Sequence, residues 1–261
     1  MKIDELTPVE YVESEGIWLK RDDKFEICGV RGGKSRSAYQ VIQQLLDEGR
    51  TTIVTAGSRQ SPQCEIVSYI CENLGVDCKV FMPTGENTSV IDHIEQNSKT
   101  EIIRVKPGYN NVIIARSREY AEDRGYGYVP FGMECAENVE VTSKQVENLP
   151  FEDLRETGGR IVMPIGSGMS FSSVVTGLNA IGVYDIPLLG VQVGKNPNKI
   201  LKQYADGLDL MYHEFVTVPL SYHTAIEAYV GDVQLDPIYE AKCWAFLRKG
   251  DCLWIVGKRV M

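Results

Sequence analysis

From Thr51 onward the chain alternates short β-branched runs with longer amphipathic stretches, and no other sequence feature restricts the fold as much. A strand followed by a helix, repeated along the chain, builds a parallel sheet with helices on its faces. TTIVTAG (51–57) reads as a strand. PQCEIVSYICENLG (62–75) reads as a helix with Pro62 in its first turn and Gly75 as its stop. CKVFMP, EIIRV and YGYVPFG read as further strands, with helices near 90–97 and 111–124 between them. After an acidic, polar segment at 147–159 the pattern resumes. RIVMPIG, IPLLGVQV and CLWIVGKR read as strands, and SFSSVVTGLNAIG and PNKILKQYADGL as helices. DPIYEAKCWAFLRKG (236–250) has an acid and Pro237 at its head and basic residues with a glycine at its tail, so an α-helix is expected there. The fold class is therefore α/β with two lobes, and small-molecule sites in such sheets lie beyond the carboxyl ends of the strands.

The 261 residues suffice for one large or two modest cores, and hydrophobic and charged fractions of 43% and 24% are those of a globular chain. A formal charge of −9 argues against a broad nucleic-acid-binding face. The seven cysteines include no C-x-x-C pair and no histidine at zinc-finger spacing, so reduced, mostly buried thiols are expected and no metal site. The first residues carry acids and no apolar run, and no stretch reaches the roughly 18 apolar residues of a membrane span. A soluble, cytoplasmic protein with no membrane partner is expected. Trp18, Trp244 and Trp254 sit in apolar settings and read as core.

Four segments carry chemistry. Gly166-Ser167-Gly168-Met169-Ser170 lies where a strand runs into a helix, suited to a phosphate through unpaired backbone N–H groups, although the same turn occurs as plain loop chemistry. It lacks the Gly-Lys-Ser/Thr of a Walker loop and the dinucleotide glycine spacing. Gly32 and Gly33 precede Lys34 at the start of an amphipathic run. A lysine there opposes the helix dipole, which favours its neutral amine and suits it to Schiff-base formation; the bland alternative is a solvated surface lysine. Leu235-Asp236-Pro237-Ile238-Tyr239-Glu240-Ala241-Lys242 is by itself a capped helix start, with Tyr239 and Glu240 an ordinary half-buried pair. The polar loop Thr55-Ala56-Gly57-Ser58-Arg59-Gln60-Ser61-Pro62-Gln63 offers donors suited to a carboxylate, although most such loops bind nothing. His223 reads as a structural histidine or as one lining a cleft; His93 and His213 have no motif around them.

Taken in order, from Thr7-Pro8 through Lys20-Arg21-Asp22-Asp23 and Gly33-Lys34-Ser35-Arg36 to Asp236-Pro237-Ile238-Tyr239-Glu240-Ala241-Lys242, the segments resemble the fold-type II pyridoxal 5′-phosphate (PLP) enzymes of the tryptophan synthase β-like superfamily. The similarity is to the branch of 1-aminocyclopropane-1-carboxylate deaminase and D-cysteine desulfhydrase. It implies two three-layer α/β lobes with mostly parallel sheets and a PLP cleft between them. Residues 1–36 and 150–261 would form the large, cofactor-binding lobe and 37–149 the small one.

By the same resemblance Lys34 forms the internal aldimine, and Gly166, Ser167, Gly168, Met169 and Ser170 hold the phosphate. Glu240 faces the pyridine nitrogen, Tyr239 transfers a proton or assists attack on substrate, and Ser58, Ser61 and Gln63 meet the substrate. The implied activity passes through an external aldimine and a carbanion or quinonoid, ending in deamination, elimination or decarboxylation of an amino-acid-like substrate, with a homodimer as the assembly. The sequence departs from the family pattern at Gly33, Pro62 and Met169. Pro62 removes an amide from the substrate loop, which fits an amino acid carried on a larger molecule such as a modified nucleobase, or a non-catalytic member that only binds a phosphorylated ligand.

Overall fold

The computed structural model describes residues 2–194, 196–205 and 213–257. The chain opens with an antiparallel pair, β1 (Val9–Val12) and β2 (Ile17–Arg21), followed by a short hairpin, β3 (Glu26–Ile27) and β4 (Val30–Arg31). Helix α1 (Gly33–Asp47) leads into strand–helix units: β5 (Thr52–Ala56), α2 (Pro62–Leu74), β6 (Asp77–Pro83), α3 (Ser89–Ile94), β7 (Thr100–Val105), α4 (Asn110–Arg124) and β8 (Gly127–Tyr128). Helices α5 (Ala136–Ser143) and α6 (Phe151–Thr157) precede a second series: β9 (Ile161–Ile165), α7 (Met169–Ala180), β10 (Leu188–Gln192), α8 (Asn198–Tyr204) and β11 (His213–Thr217). A small hairpin, β12 (Tyr229–Val230) with β13 (Val233–Gln234), and the strand β14 (Cys252–Ile255) complete it.

Two compact units result, one of residues 26–138 and one combining 2–25 with 139–257. The sequence reading drew these limits at 36/37 and 149/150. The hairpin belongs with the smaller unit because Val30 is buried in one core with Ala38, Val41 and Ile42 of α1, and Ser37 Oγ donates to Asn138 Oδ1 at 2.7 Å. Lys34 therefore lies in the smaller unit.

In the smaller unit the sheet runs β7-β6-β5-β8, all parallel. Its central strands β5 and β6 are buried on both faces: Ile53, Cys78, Val80 and Met82 enter one core with α1 and α2, while Val54, Ala56 and Phe81 enter another with Ile113 and Ala121 of α4. The larger unit repeats the plan on six strands in the order β1-β2-β14-β9-β10-β11, parallel except for β1. Ile161, Met163 and Ile165 face one core; Val162, Leu189 and Leu253 face the other. The period of two thus fills both faces, which is why these strands read as continuous apolar runs.

Most expected elements lie where the pattern put them, with three corrections. Residues 236–250 do not form an α-helix; only Glu240–Phe246 is helical, as 3-10 turns. Asp236 Oδ1 accepts the N–H groups of Ile238 and Tyr239, each at 2.9 Å, and this turn holds Tyr239 at φ −107°, ψ −85°, outside helical geometry. Trp244 is consequently 40% exposed and not core, unlike the fully buried Trp254. The acidic, polar segment 147–159, to which the sequence pattern assigns no element, contains α6, because Phe151 and Leu154 pack into the larger unit's core. The expected helix end at 206–208 and strand end at 258–259 lie outside the described residues. Five cysteines are buried and two half-buried. No helix among the described residues is long and apolar enough to cross a membrane.

Candidate functional site

In the larger unit, the candidate residues gather at the carboxyl edge of the sheet. β9 ends in Gly166, β10 in the turn to Gly194, and the two ends touch: Val193 N–H and Gly194 N–H both donate to Ile165 O at 3.0 Å. A Cβ on Gly194 would lie 2.5 Å from the Gly166 carbonyl oxygen, so only glycine permits this approach. Gly168, at φ +105°, is the N-cap of α7 and brings no side chain to cap it. The first N–H groups of this 12-residue helix have no intrahelical acceptor, and Ser167 Oγ accepts from Met169 N–H only at 3.4 Å. Met169 is buried, whereas Gly166, Ser167 and Ser170 are half-buried. The loop is an anion cradle of backbone donors at the positive end of a helix.

Beyond the end of β14 stands Glu240, fully buried. Its Oε1 accepts the Val256 N–H at 2.8 Å, and its Oε2 has no hydrogen-bond partner. Burial pushes this acid well above the ordinary value of 4.5, Asp236 and Asp23 push it the same way, and the Val256 N–H pulls against them. The Tyr239 ring lies against the phosphate-type loop, where a Cβ on Gly166 would come within 2.9 Å of Tyr239 Cε1. Tyr239 Oη is 2.6 Å from Tyr222 Oη, and the two rings meet edge to face with centroids 6.0 Å apart. Tyr222 was not singled out in the sequence. Its neighbour His223, which the sequence marks as structural or cleft-lining, is exposed and packs edge-on against the Tyr222 ring. No local motif marks Tyr222; only the fold brings residue 222 to residue 239.

The motifs near the N-terminus form a buried polar network in the same unit. Thr7 Oγ1 donates to Asp22 Oδ1 (2.8 Å), Trp254 Nε1 donates to Asp22 Oδ2 (3.1 Å), and the Lys20 ammonium donates to Thr7 O (2.9 Å) and Asn148 Oδ1 (2.6 Å). Arg21 pairs with Glu10 and Asp23. These residues tie β2 and β14 to the segments beside them.

In the smaller unit, Lys34 is exposed in the first turn of α1, after Gly32 at φ +95°. It is close enough to Cys64 for its charge to favour that thiol's ionised form, although burial dominates and pushes Cys64 up to about 12. This places Lys34 near the start of α2, whose N-cap is Ser61 and whose preceding loop holds the exposed Ser58. Gln63 is buried and fully engaged within the unit. Its Nε2 donates to Thr55 Oγ1 (3.2 Å) and Pro130 O (2.8 Å), and its Oε1 accepts the Gly132 N–H (2.8 Å). Ser58 is exposed, the Ser61 hydroxyl hydrogen-bonds with the Cys64 thiol, and the Gln63 amide holds the 130–132 segment.

The family described as pyridoxal-phosphate dependent enzyme matches residues 3–250. A probable 1-aminocyclopropane-1-carboxylate deaminase of Schizosaccharomyces pombe is 21% identical over 72% of this chain and 60% of its own length. The biosynthetic L-threonine dehydratase of Corynebacterium glutamicum is 28% identical over 65% of this chain and 40% of its own, and a Salmonella D-cysteine desulfhydrase is 26% identical over 36% and 30%. The chain thus spans less than two thirds of the curated relatives it matches. Among solved structures, an ACC deaminase homologue superposes with a TM-score of 0.80 at 19% identity, covering 98% of this chain and 90% of that one. Diaminopropionate ammonia lyase of Escherichia coli gives 0.70 at 15% identity, covering 97% and 83%. The fold is that of the tryptophan synthase β-like enzymes.

The residues of the larger unit fit that family's cofactor, PLP. A buried carboxyl oxygen without a donor costs about 1–3 kcal/mol, and a protonated ring nitrogen would supply the missing partner. The loop at 166–170 would hold a phosphate through backbone N–H groups, without a charged side chain of its own.

Proposed function

This chain belongs to the pyridoxal-phosphate dependent enzyme family, and we propose that it acts on an amino-acid-like substrate, breaking a bond at or next to the α carbon in a deamination, elimination or decarboxylation. Bound PLP would supply an aldehyde for the substrate amine and a pyridine ring able to draw electron density from the α carbon. The chain's own residues divide the remaining tasks. The backbone of Gly166, Ser167, Gly168, Met169 and Ser170 binds the phosphate. Glu240 Oε2 holds the proton on the ring nitrogen. Lys34 supplies the amine that anchors the cofactor and then moves the proton at the α carbon. The Tyr239 hydroxyl gives or takes a second proton, and Ser58 and Ser61 orient the substrate carboxylate. The unpartnered, buried Glu240 oxygen, with its neighbour Tyr239 against the glycine-containing loop at a helix N-terminus, supports this reading. It accords with relatives named for acting on aminocyclopropane carboxylate, threonine and cysteine.

The test is the absorbance of purified protein with added PLP, followed by borohydride reduction and mass spectrometry of the adduct. A visible band and a reduced adduct on Lys34, both lost in Lys34→Ala, are expected. A protein that stays colourless and unlabelled overturns the assignment.

The internal use of Gln63 and the loss of an amide at Pro62 leave fewer donors for a small substrate's carboxylate. This favours, as a second reading, an amino acid held through a larger carrier such as a modified nucleobase. Turnover of free amino acids against amino-acid-bearing nucleosides, read as ammonia, keto acid or carbon dioxide, separates the two. Saturable phosphate-ligand binding with no turnover of either would indicate the non-catalytic alternative. Sedimentation tests the homodimer that the family likeness suggests.

A further inference from the structure

Between β11 and β12 the chain leaves the sheet and returns through two backbone hydrogen bonds, Val218 N–H to Gln192 O (3.4 Å) and Ile226 N–H to Pro237 O (3.0 Å). Ser221 and Tyr222 stand exposed in the turn between them. An exposed turn does not hold a tyrosine hydroxyl in one place by packing, yet Tyr222 Oη sits 2.6 Å from Tyr239 Oη. The restraint comes from Lys242. Its side chain is buried, with the residue 2% exposed, and its ammonium donates to Ser221 O at 3.0 Å and Tyr222 O at 2.9 Å. Those carbonyls belong to the two peptide units that flank Tyr222, so one cation fixes both planes and with them the direction of the Tyr222 side chain. The same ammonium lies 5.9 Å from the centre of the Tyr222 ring.

The 3-10 geometry makes this possible. Tyr239 is the N-cap of this 3-10 segment, and the Lys242 N–H donates to Tyr239 O at 3.1 Å, closing its first turn three residues on. Burying an ammonium is unfavourable unless its donors are used, and here they are used on the segment that carries Tyr222.

We infer that Lys242 is a positioning residue that sets the Tyr222–Tyr239 hydroxyl contact and thereby orients the Tyr239 hydroxyl for proton transfer. The inference rests on the role given to Tyr239 above. The test compares Lys242→Met, Tyr222→Phe, the double variant and Lys242→Arg in PLP-loaded protein. The readouts are the tyrosine Cζ carbon resonances, with Tyr239 assigned through Tyr239→Phe, amide exchange at Thr224, and steady-state kinetics on whichever amino acid is turned over. In Lys242→Met the Tyr239 resonance should move to its position in Tyr222→Phe, and the Thr224 amide, bonded to Ser221 O, should exchange about tenfold faster. The kcat should fall about tenfold with little change in KM, no further fall should occur in the Tyr222→Phe background, and Lys242→Arg should recover most of the loss.

An unmoved Tyr239 resonance, or an equal loss of kcat in both backgrounds, would show that Lys242 serves the fold alone. If Lys242→Met does not fold, Lys242→Gln, which keeps a donor on a shorter stem, is judged by the same outcomes. Should the chain fail to take up PLP, the proposed function falls; the resonance and exchange readouts on unloaded protein then decide the role of Lys242 independently.

Discussion

Glu240 holds one oxygen bonded to Val256 N–H and the other without a donor, inside a surface that excludes water. Burial raises its proton affinity above the ordinary carboxyl value of 4.5, so in unloaded protein the folded state keeps a proton that the unfolded chain releases. Its contribution to stability is complete below pH about 4.5 and is lost progressively as the pH rises toward the folded-state value, at no more than about 1.4 kcal/mol per pH unit. Glu240→Gln removes that loss. Denaturant midpoints of the unloaded proteins between pH 4 and 8 should therefore diverge in favour of the glutamine variant as the pH rises; parallel curves would mean that Glu240 is not a buried acid. PLP should reverse the order, because the glutamine amide cannot hold a charged ring nitrogen as a carboxylate does. Glu240 and the 166–170 glycines were legible as motifs. Tyr222 was not, since seventeen residues and a hairpin separate it from its partner. Gln63 was legible as polar but not as internal, because residue type does not show which groups an amide meets.

At the scale of elements, helices were readable wherever their ends carry local chemistry. α2 begins after Ser61 with Pro62 and stops at Gly75 in the left-handed region (φ +70°), as the residue types require. The 236–246 segment has equally good punctuation, yet Asp236 caps a tight turn there and the chain continues as 3-10 turns, with Glu240 directed to Val256. A buried tertiary hydrogen bond outweighs propensities worth only tenths of a kcal/mol per residue. The loop between β5 and α2 depends on Gly57, where a Cβ would lie 2.6 Å from Cys64 Sγ and 2.7 Å from Ser61 Oγ. Gly57→Ala should destabilise the chain by about 1–3 kcal/mol through overpacking and weaken substrate binding by displacing Ser61. Chemical denaturation measures the first effect and KM the second; full stability in the variant would show that the loop yields without strain.

At the scale of the molecule, cofactor binding should stabilise the fold, because a ligand that binds only the native state adds RT ln(1 + [L]/Kd), about 2.7 kcal/mol at a hundredfold excess over Kd. A PLP-dependent rise in Tm, much reduced in a Gly194→Ala protein whose new Cβ would crowd the Gly166 carbonyl, is the expected outcome in thermal denaturation. An unchanged Tm at saturating PLP would contradict the assignment. The sequence by itself determined that parallel strands alternate with helices and that a glycine-containing turn at 166–170 leads a strand into a helix. These are local facts, set by periodicity, caps and residue type within a dozen positions. Only the tertiary structure decided the strand order β1-β2-β14-β9-β10-β11, the transfer of residues 26–36 to the smaller unit, the burial of one Glu240 oxygen without a partner, and the meeting of Tyr222 with Tyr239 under Lys242. Each depends on groups far apart along the chain that share one dry interior, where an unmet hydrogen bond costs more than any local preference returns.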